Sequence, residues 1–253
     1  MVFGPNGIRL NEDDTGTSVF DPVLCEVMYR WFCPEGGKVF DPFAGGIPRG
    51  AVAYVKGLDY LGIDLSSEQV QSNLRLIQGI EGTGKVTWIN DDSLNMDDYV
   101  DDKSVDFILT CPPYYDLEKY TDNPKDLSNM NYDEFIRVYS EIMSNAANKL
   151  KDNRFAVVVL SDVRDKNGCY RTLCDLTRGV MQKAGCCVYN ELILLNSVGS
   201  ASMRARRTFM NRKCTRTHQE VIVFYKGDTS KIKQEFGILQ AEDDVLNQDG
   251  SDE

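Results

Sequence analysis

The stretch TCPPYY, residues 110–115, sets a cysteine, two prolines and two tyrosines directly after the apolar run VDFILT. Prolines fix φ and cannot donate ladder hydrogen bonds, so Pro112 and Pro113 end that run on a stiff turn with fixed carbonyls. Such turns at strand ends suit active sites; the plain alternative is a strand terminator with two surface tyrosines. Three earlier strand ends also carry unusual residues. DPFAGGIPRG supplies Asp41, Pro42 and Phe43, then Gly45 and Gly46, which permit a tight turn where backbone can approach a ligand. GIDLS places Asp64 a further 23 positions after Asp41, a spacing that suits a bidentate bond to ribose hydroxyls. INDDS offers Asp91, Asp92 and Ser93 to an adenine amino group. There is no glycine–lysine phosphate loop, and the acidic ends would repel a pyrophosphate but welcome a cationic nucleoside. S-adenosyl-L-methionine, with its adenine, ribose and sulfonium, is such a ligand.

VFDPFAGG, GIDLS, NDDS and TCPPYY, in this order, resemble the DNA amino-methyltransferases, which methylate adenine N6 or cytosine N4. The resemblance spans roughly residues 17–226 and rests on two turns, DPFxGxG and [D/N/S]PP[Y/F/W]. It implies a Rossmann-like class I methyltransferase fold, with a seven-stranded, mostly parallel sheet, an antiparallel last strand and helices on both faces. The segment FDPVLCEVMYRWF, beginning at Phe20, resembles the part of the family that packs over the methionine moiety of the cofactor. Two residues depart from the pattern. Ile47 replaces the third glycine, and Cys111 stands where Asp, Asn or Ser is usual.

The resemblance assigns the turn its chemistry. Attack by an exocyclic nitrogen on a sulfonium methyl requires its lone pair to be drawn out of the ring. Two acceptors for the amino hydrogens do this, here the Pro112 carbonyl and the Cys111 side chain, and the prolines, Pro113 included, keep them aimed. Tyr114 would stack on a base flipped out of the duplex. A thiol is Ser-like in size and a weak acceptor. The other readings of Cys111 are a covalent nucleophile toward cytosine C5, or a decayed site that binds without transferring methyl groups.

Short β-rich runs must position these turns: residues 38–43, 60–65, 85–90, 105–110, 154–162, 187–195 and 219–227. Helical patterns separate the earlier runs at about 48–57, 67–80, 132–150 and 170–185, and a further one covers SVFDPVLCEVMYRWF with Asp21 or Ser18 as cap and Pro22 in its first turn. Alternating strands and helices mean βαβ units and a parallel sheet covered on both faces. The last two runs have no convincing helix between them and are expected to pair antiparallel. The polar segment after the tetrapeptide, to about residue 135, is expected to close over the flipped base.

The chain has 253 residues and net charge −11, which argues against a globally basic nucleic-acid binder. Yet no acidic residue lies between Glu191 and Glu220, where Arg204, Arg206, Arg207, Arg212, Lys213 and Arg216 gather, with Phe209 and Met210 available to wedge or stack. The choice is between a solvated basic loop and a DNA-contacting insert at 196–217. His218 opens the last strand. Eight cysteines without a CxxC and a single histidine give zinc little support, and most of the cysteines read as reduced core residues. No run is long and apolar enough for a membrane span.

The expectation is one methyltransferase domain over 1–237 and an acidic, disordered tail over 238–253. The chain would be a cytoplasmic, prokaryotic or phage-encoded enzyme acting on double-stranded DNA, with no metal. A homodimer or partner subunit would extend its short recognition insert, and a restriction partner could accompany it. The rival readings are methylation of RNA or of protein glutamine on a similar site, and an inactive subunit that binds cofactor or DNA.

Overall fold

A computed structural model of the chain describes residues 20–115, 121–195 and 201–239. Ser18 and the acidic tail from 240 onward lie outside these residues. Seven strands form one sheet in the order β3-β2-β1-β4-β5-β7-β6: β1 (Lys38–Asp41), β2 (Asp59–Asp64), β3 (Lys85–Asn90), β4 (Val105–Thr110), β5 (Leu150–Leu160), β6 (Cys186–Leu195) and β7 (His218–Lys226). β1 to β5 pair in parallel, whereas β7 runs antiparallel between β5 and β6. The expected sheet, with its antiparallel last strand, is therefore present.

Alternation along the strands builds two cores. Phe40, Ile108, Ala156, Val158, Ile222 and Phe224 face one side of the sheet, and Val39, Phe107, Val157, Val159, Val221 and Val223 the other. The first side is covered by α4 (Tyr132–Lys149) and α5 (Leu173–Lys183). Helix α4 buries Phe135, Val138, Tyr139, Ile142, Met143 and Ala146, a stripe at helical spacing. The second side takes α1 (Pro22–Phe32) and α2 (Pro48–Val55), with Val70 of α3 (Ser67–Leu76). Asp21 caps α1 by accepting from the Val23 N–H at 2.8 Å, and Pro22 occupies the first turn. Helix α2 lies so close to β3 that a Cβ on Gly50 would stand 2.4 Å from the Trp88 ring. This close approach fixes where the β1–α2 turn sits.

The expected strands and helices match to within a few residues, but one expectation fails. A helix does lie between the last two strands: α6 (Ala201–Phe209), carrying ASMRARRTF. A short α7 (Ile232–Phe236) follows β7. Among the described residues no helix is long and apolar enough to cross a membrane.

Candidate functional site

The ends of β1 to β4 bring the four singled-out motifs to one edge of the sheet. Asp41, expected among the cofactor contacts, is instead sealed beneath its own turn. Its Oδ2 accepts from Arg49 Nε at 2.5 Å and from the Tyr60 hydroxyl at 2.9 Å. Its Oδ1 accepts from the Phe43 N–H at 3.1 Å and from Thr110 Oγ1 at 2.7 Å. Four donors occupy the carboxylate, so Asp41 positions the site from below. Thr110 directly precedes Cys111, and the same carboxylate thus ties the glycine turn to the proline turn. Sequence reading missed Arg49, which is buried and also donates through Nη2 to the carbonyls of Phe43 (2.6 Å) and Ala44 (2.9 Å). Burial works against its charge, but Asp41, Tyr60 and Cys111 outweigh it and its pKa is raised.

Gly45 adopts φ +49°, the left-handed region that suits glycine. Its N–H donates to Asp64 Oδ2 at 2.7 Å, and its carbonyl accepts from Asn73 Nδ2 at 2.8 Å. Asp64 Oδ1 also accepts from the Ser66 N–H at 2.8 Å. The carboxylate therefore bridges the β1 and β2 turns with one bond per oxygen, leaving acceptor capacity on both. Burial pushes its carboxyl above the usual range, against the pull of the Ser66 and Gly45 N–H bonds. Asn73, fully buried on α3, was another residue unforeseen in the sequence.

At the end of β3 the three candidate residues divide. Asp91 is taken up locally, accepting from the Tyr99 hydroxyl (2.7 Å), the Asp92 N–H (2.7 Å) and Asn95 Nδ2 (3.0 Å). The Tyr99 bond is foremost in holding its carboxyl below the ordinary range. Ser93 Oγ, buried, donates to the Pro42 carbonyl at 2.5 Å. Asp92 uses Oδ1 on the Leu94 N–H at 3.0 Å, and among the described residues its Oδ2 has only Lys125 Nζ at 3.8 Å. Of the three, Asp92 keeps an acceptor for a ligand.

The proline turn is backed by aromatic rings. Pro112 is buried, Cys111 and Tyr114 are half-buried, and Cys111 Sγ lies 3.5 Å from the Tyr114 hydroxyl. Tyr115 takes φ +66° and sets its ring edge-on to Tyr132 and Phe135, at 5.3 and 5.1 Å between centroids. From there Phe135, Tyr139 and Phe43 stack with interplanar angles of 13° and 16°. Phe43, in the glycine motif, thus shares one aromatic column with the proline turn. The Arg171 guanidinium stands 4.3 Å from the Tyr115 ring centroid and 4.4 Å from that of Tyr132. Phe20, just before the Asp21 cap of α1, has its ring centroid 4.6 Å from the guanidinium of Arg49.

The segment following the turn is only partly described, since residues 116–120 lie outside. From Thr121 to Met130 it folds on itself around buried Asp126, which accepts from Thr121 and Ser128 through backbone and hydroxyl donors at 2.8–2.9 Å. This part is compact and internally bonded.

The basic candidates also divide. Arg206, Arg207 and Arg212 are exposed, as are Phe209 (68%) and Met210 (87%), on and just after α6; the Arg204 side chain lies outside the description. Lys213 packs against Gly168 of the β5–α5 connection. Arg216 instead turns inward, bonding Glu220 Oε1 at 2.5 Å with Asp162 Oδ2 at 3.8 Å, so it stabilises the β7 start. Glu220 also pairs with Arg178 at 3.0 Å. Asp162, Cys174 and Glu220 are close enough to share a cation, but arginines already neutralise their carboxylates. His218 opens β7 opposite Leu195. Of the cysteines, Cys25, Cys174 and Cys186 are buried, while Cys33 and Cys111 are half-buried and Cys169, Cys187 and Cys214 exposed. The core role expected for most of them holds for the first three, and Cys33 and Cys111 pack against the core from its edge; burial raises the thiol pKa of Cys25, Cys33, Cys174 and Cys186.

No protein-family model matches the chain, and no curated protein sequence does. Solved structures do resemble it. A SAM-dependent methyltransferase from Methanosarcina mazei is 12% identical, with 83% of this chain and 99% of that one covered at a TM-score of 0.55. An rRNA methylase from Streptococcus thermophilus is 14% identical, covering 84% and 100% at 0.50. Magnesium protoporphyrin IX methyltransferase from Synechocystis, solved with bound SAM, is 14% identical, covering 81% and 79% at 0.50. The sheet order, the antiparallel β7 and these likenesses together identify the fold as that of the Rossmann-like, class I methyltransferases.

Proposed function

We propose that this chain transfers a methyl group from S-adenosyl-L-methionine to an exocyclic amino group of a DNA base, cytosine N4 or adenine N6. The observation that carries the reading is the meeting of two turns on one carboxylate: Asp41 holds both the Gly45 loop, through Phe43 and Arg49, and Thr110 ahead of Cys111. A cofactor bound over Gly45 would have its ribose on the open lone pairs of Asp64 and its adenine amino group on Asp92. The sulfonium methyl would then point toward the CPPY turn. Cofactor binding supplies the electrophilic methyl carbon. The protein's share is to hold the amino nitrogen in line and accept its hydrogens, with the Pro112 carbonyl and Cys111 as acceptors and Tyr114 as the stacking face. The exposed arginines of α6, with Phe209 and Met210, suit a phosphate backbone and an unstacked step beside the site.

The test is incubation of the protein with duplex DNA, single-stranded DNA and RNA in the presence of isotopically labelled cofactor, followed by nucleoside mass spectrometry. Labelled N4-methylcytosine or N6-methyladenine from duplex DNA is the expected result. Label only in RNA would select the RNA reading, and tight cofactor binding without label in any nucleic acid would select the inactive-subunit reading. Gel filtration with and without DNA would show whether a second copy joins the complex.

A further inference from the structure

The connection between β5 and α5, residues 161–172, leaves the sheet on the same edge as the proline turn, since β5 runs parallel to β4. Its DKNG sequence, at 165–168, closes a tight antiparallel hairpin. Arg164 bridges Tyr170, the Asp165 N–H donates to the Cys169 carbonyl at 2.8 Å, and the Arg171 N–H donates to the Val163 carbonyl at 2.9 Å. Gly168 takes φ +91°, which a side chain would resist. On one flank Arg171 ties the hairpin to the proline turn. Its guanidinium packs on the Tyr115 and Tyr132 rings, and its carbonyl accepts from the Tyr132 hydroxyl at 2.9 Å. On the other flank the Lys213 ammonium fills the space that a Cβ on Gly168 would need, and Arg216 lies 3.8 Å from Asp162. The hairpin is therefore a wall between the proline turn and the segment that carries α6.

What this wall presents outward suits a nucleic-acid strand. Lys166, Asn167 and Tyr170 are exposed, Tyr170 by 41%. The Arg164 guanidinium stands 3.9 Å from the Tyr170 ring centroid and is itself fixed by the Gly168 carbonyl at 2.7 Å. A ring braced in this way loses little freedom when a base stacks on it. Asp165 is turned back onto the Cys169 N–H at 2.8 Å, and Asp162 faces Arg216, so cations predominate on the outer surface. Any DNA that lies on α6 with one base at the proline turn has to cross the hairpin, because the hairpin packs against both flanks.

We infer that this hairpin is a second DNA-contacting element, with Lys166 on a backbone phosphate and Tyr170 stacked on a base left open beside the flipped nucleotide. The inference rests on the DNA reading above and extends it to a part of the chain outside the arginine-rich insert.

The test is fluorescence-anisotropy titration of the full chain with a labelled duplex carrying one unpaired base, over a series of salt concentrations. Lys166→Gln is expected to flatten the log–log salt dependence by about one unit. Tyr170→Ala is expected to weaken binding about 5–150-fold with the slope unchanged, because stacking releases no counterions. Tyr170→Phe keeps the ring and should stay within about twofold of wild type. Lys166 is exposed, so its variant reads the surface even where Tyr170→Ala unfolds the hairpin. A wild-type slope in Lys166→Gln, or equal losses in Tyr170→Ala and Tyr170→Phe, would overturn the inference. So would Tyr170→Ala binding as tightly as wild type while the α6 arginine variants lose binding. Wild-type protein that binds no nucleic acid at all would instead sink the DNA reading itself.

Discussion

The glycine-turn side and the arginine-rich side of this edge are built differently. At the β1 and β2 ends nearly every polar group is already bonded within the protein: Asp41 accepts four hydrogen bonds, Gly45 is held by both its N–H and its carbonyl, and Ser93 is tied to Pro42. On the arginine-rich side, Arg206, Arg207, Phe209 and Met210 stand exposed on and just after α6, none of whose described side chains is buried. A floor bonded in advance loses little freedom when a small ligand arrives. A surface of long, solvated side chains can adapt to a polymer but gains its affinity from phosphate charge.

The largest effect should come from the arginine-rich side. Reversing Arg204, Arg206 and Arg207 to Glu is expected to abolish duplex binding while leaving cofactor affinity unchanged. A milder triple change to Gln should flatten the log–log salt dependence by about one unit per lost phosphate contact. A slope equal to wild type would remove α6 from the DNA-contacting surface.

Next in size is the floor. Asp41→Ala leaves Arg49 as a buried charge without its partner and should cost about 3–5 kcal/mol of folding stability. Urea unfolding measures it, and a loss below about 1 kcal/mol would show that the network is not the brace described here.

The turn between the two sides should respond through rate. Tyr114→Ala is expected to slow single-turnover methylation through loss of about 1–3 kcal/mol of base stacking. Cys111→Ala should cost about 10–100-fold, and Cys111→Ser should retain substantial activity because a hydroxyl accepts an amino hydrogen at least as well. A dead Ser variant that also traps a fluorinated cytosine covalently would point to nucleophilic cysteine chemistry.

The smallest effect is a pH dependence. Burial raises the pKa of Asp64, so on acidification the folded protein takes up this proton before the unfolded chain does. Its contribution to stability therefore grows as pH falls through the raised pKa, and shrinks again as pH rises. Cofactor affinity moves the opposite way, since the cationic nucleoside needs the ionised carboxylate. Titrating affinity against pH for wild type and Asp64→Asn checks this: the wild-type fall should begin above the ordinary carboxylate range, and the Asn variant should be weaker and flat.

The sheet was legible because each strand is a short apolar run closed by Gly, Pro or Asp, and because alternation and helical stripes both report burial. Strand order was not, since nothing local in β7 says that it enters between β5 and β6. The four strand ends were legible as unusual, but not which acidic groups face a ligand: Asp41 and Asp91 look like Asp64 in the sequence and differ only in the donors that tertiary contacts bring. Arg49, Tyr60 and Asn73 were missed for the same reason. Helix α6 escaped because it is short and basic, and none of its described side chains is buried against the core. The pairing of Arg216 was not foreseen because proximity to other arginines hid its i,i+4 partner Glu220.

The placement of β7 has a consequence for the order of assembly. It is the last strand of the sheet along the chain, yet it lies between β5 and β6, pairing with seven residues of the first and nine of the second. During synthesis both neighbours leave the ribosome before it and must wait with open edges. If they paired with each other first, that pairing would have to break before the native sheet could close. Non-local pairing of this kind is slow and exposes aggregation-prone edges. A nascent chain stalled before residue 218 should therefore hold β1 to β5 without a finished sheet, and chaperones would find their clients among such chains.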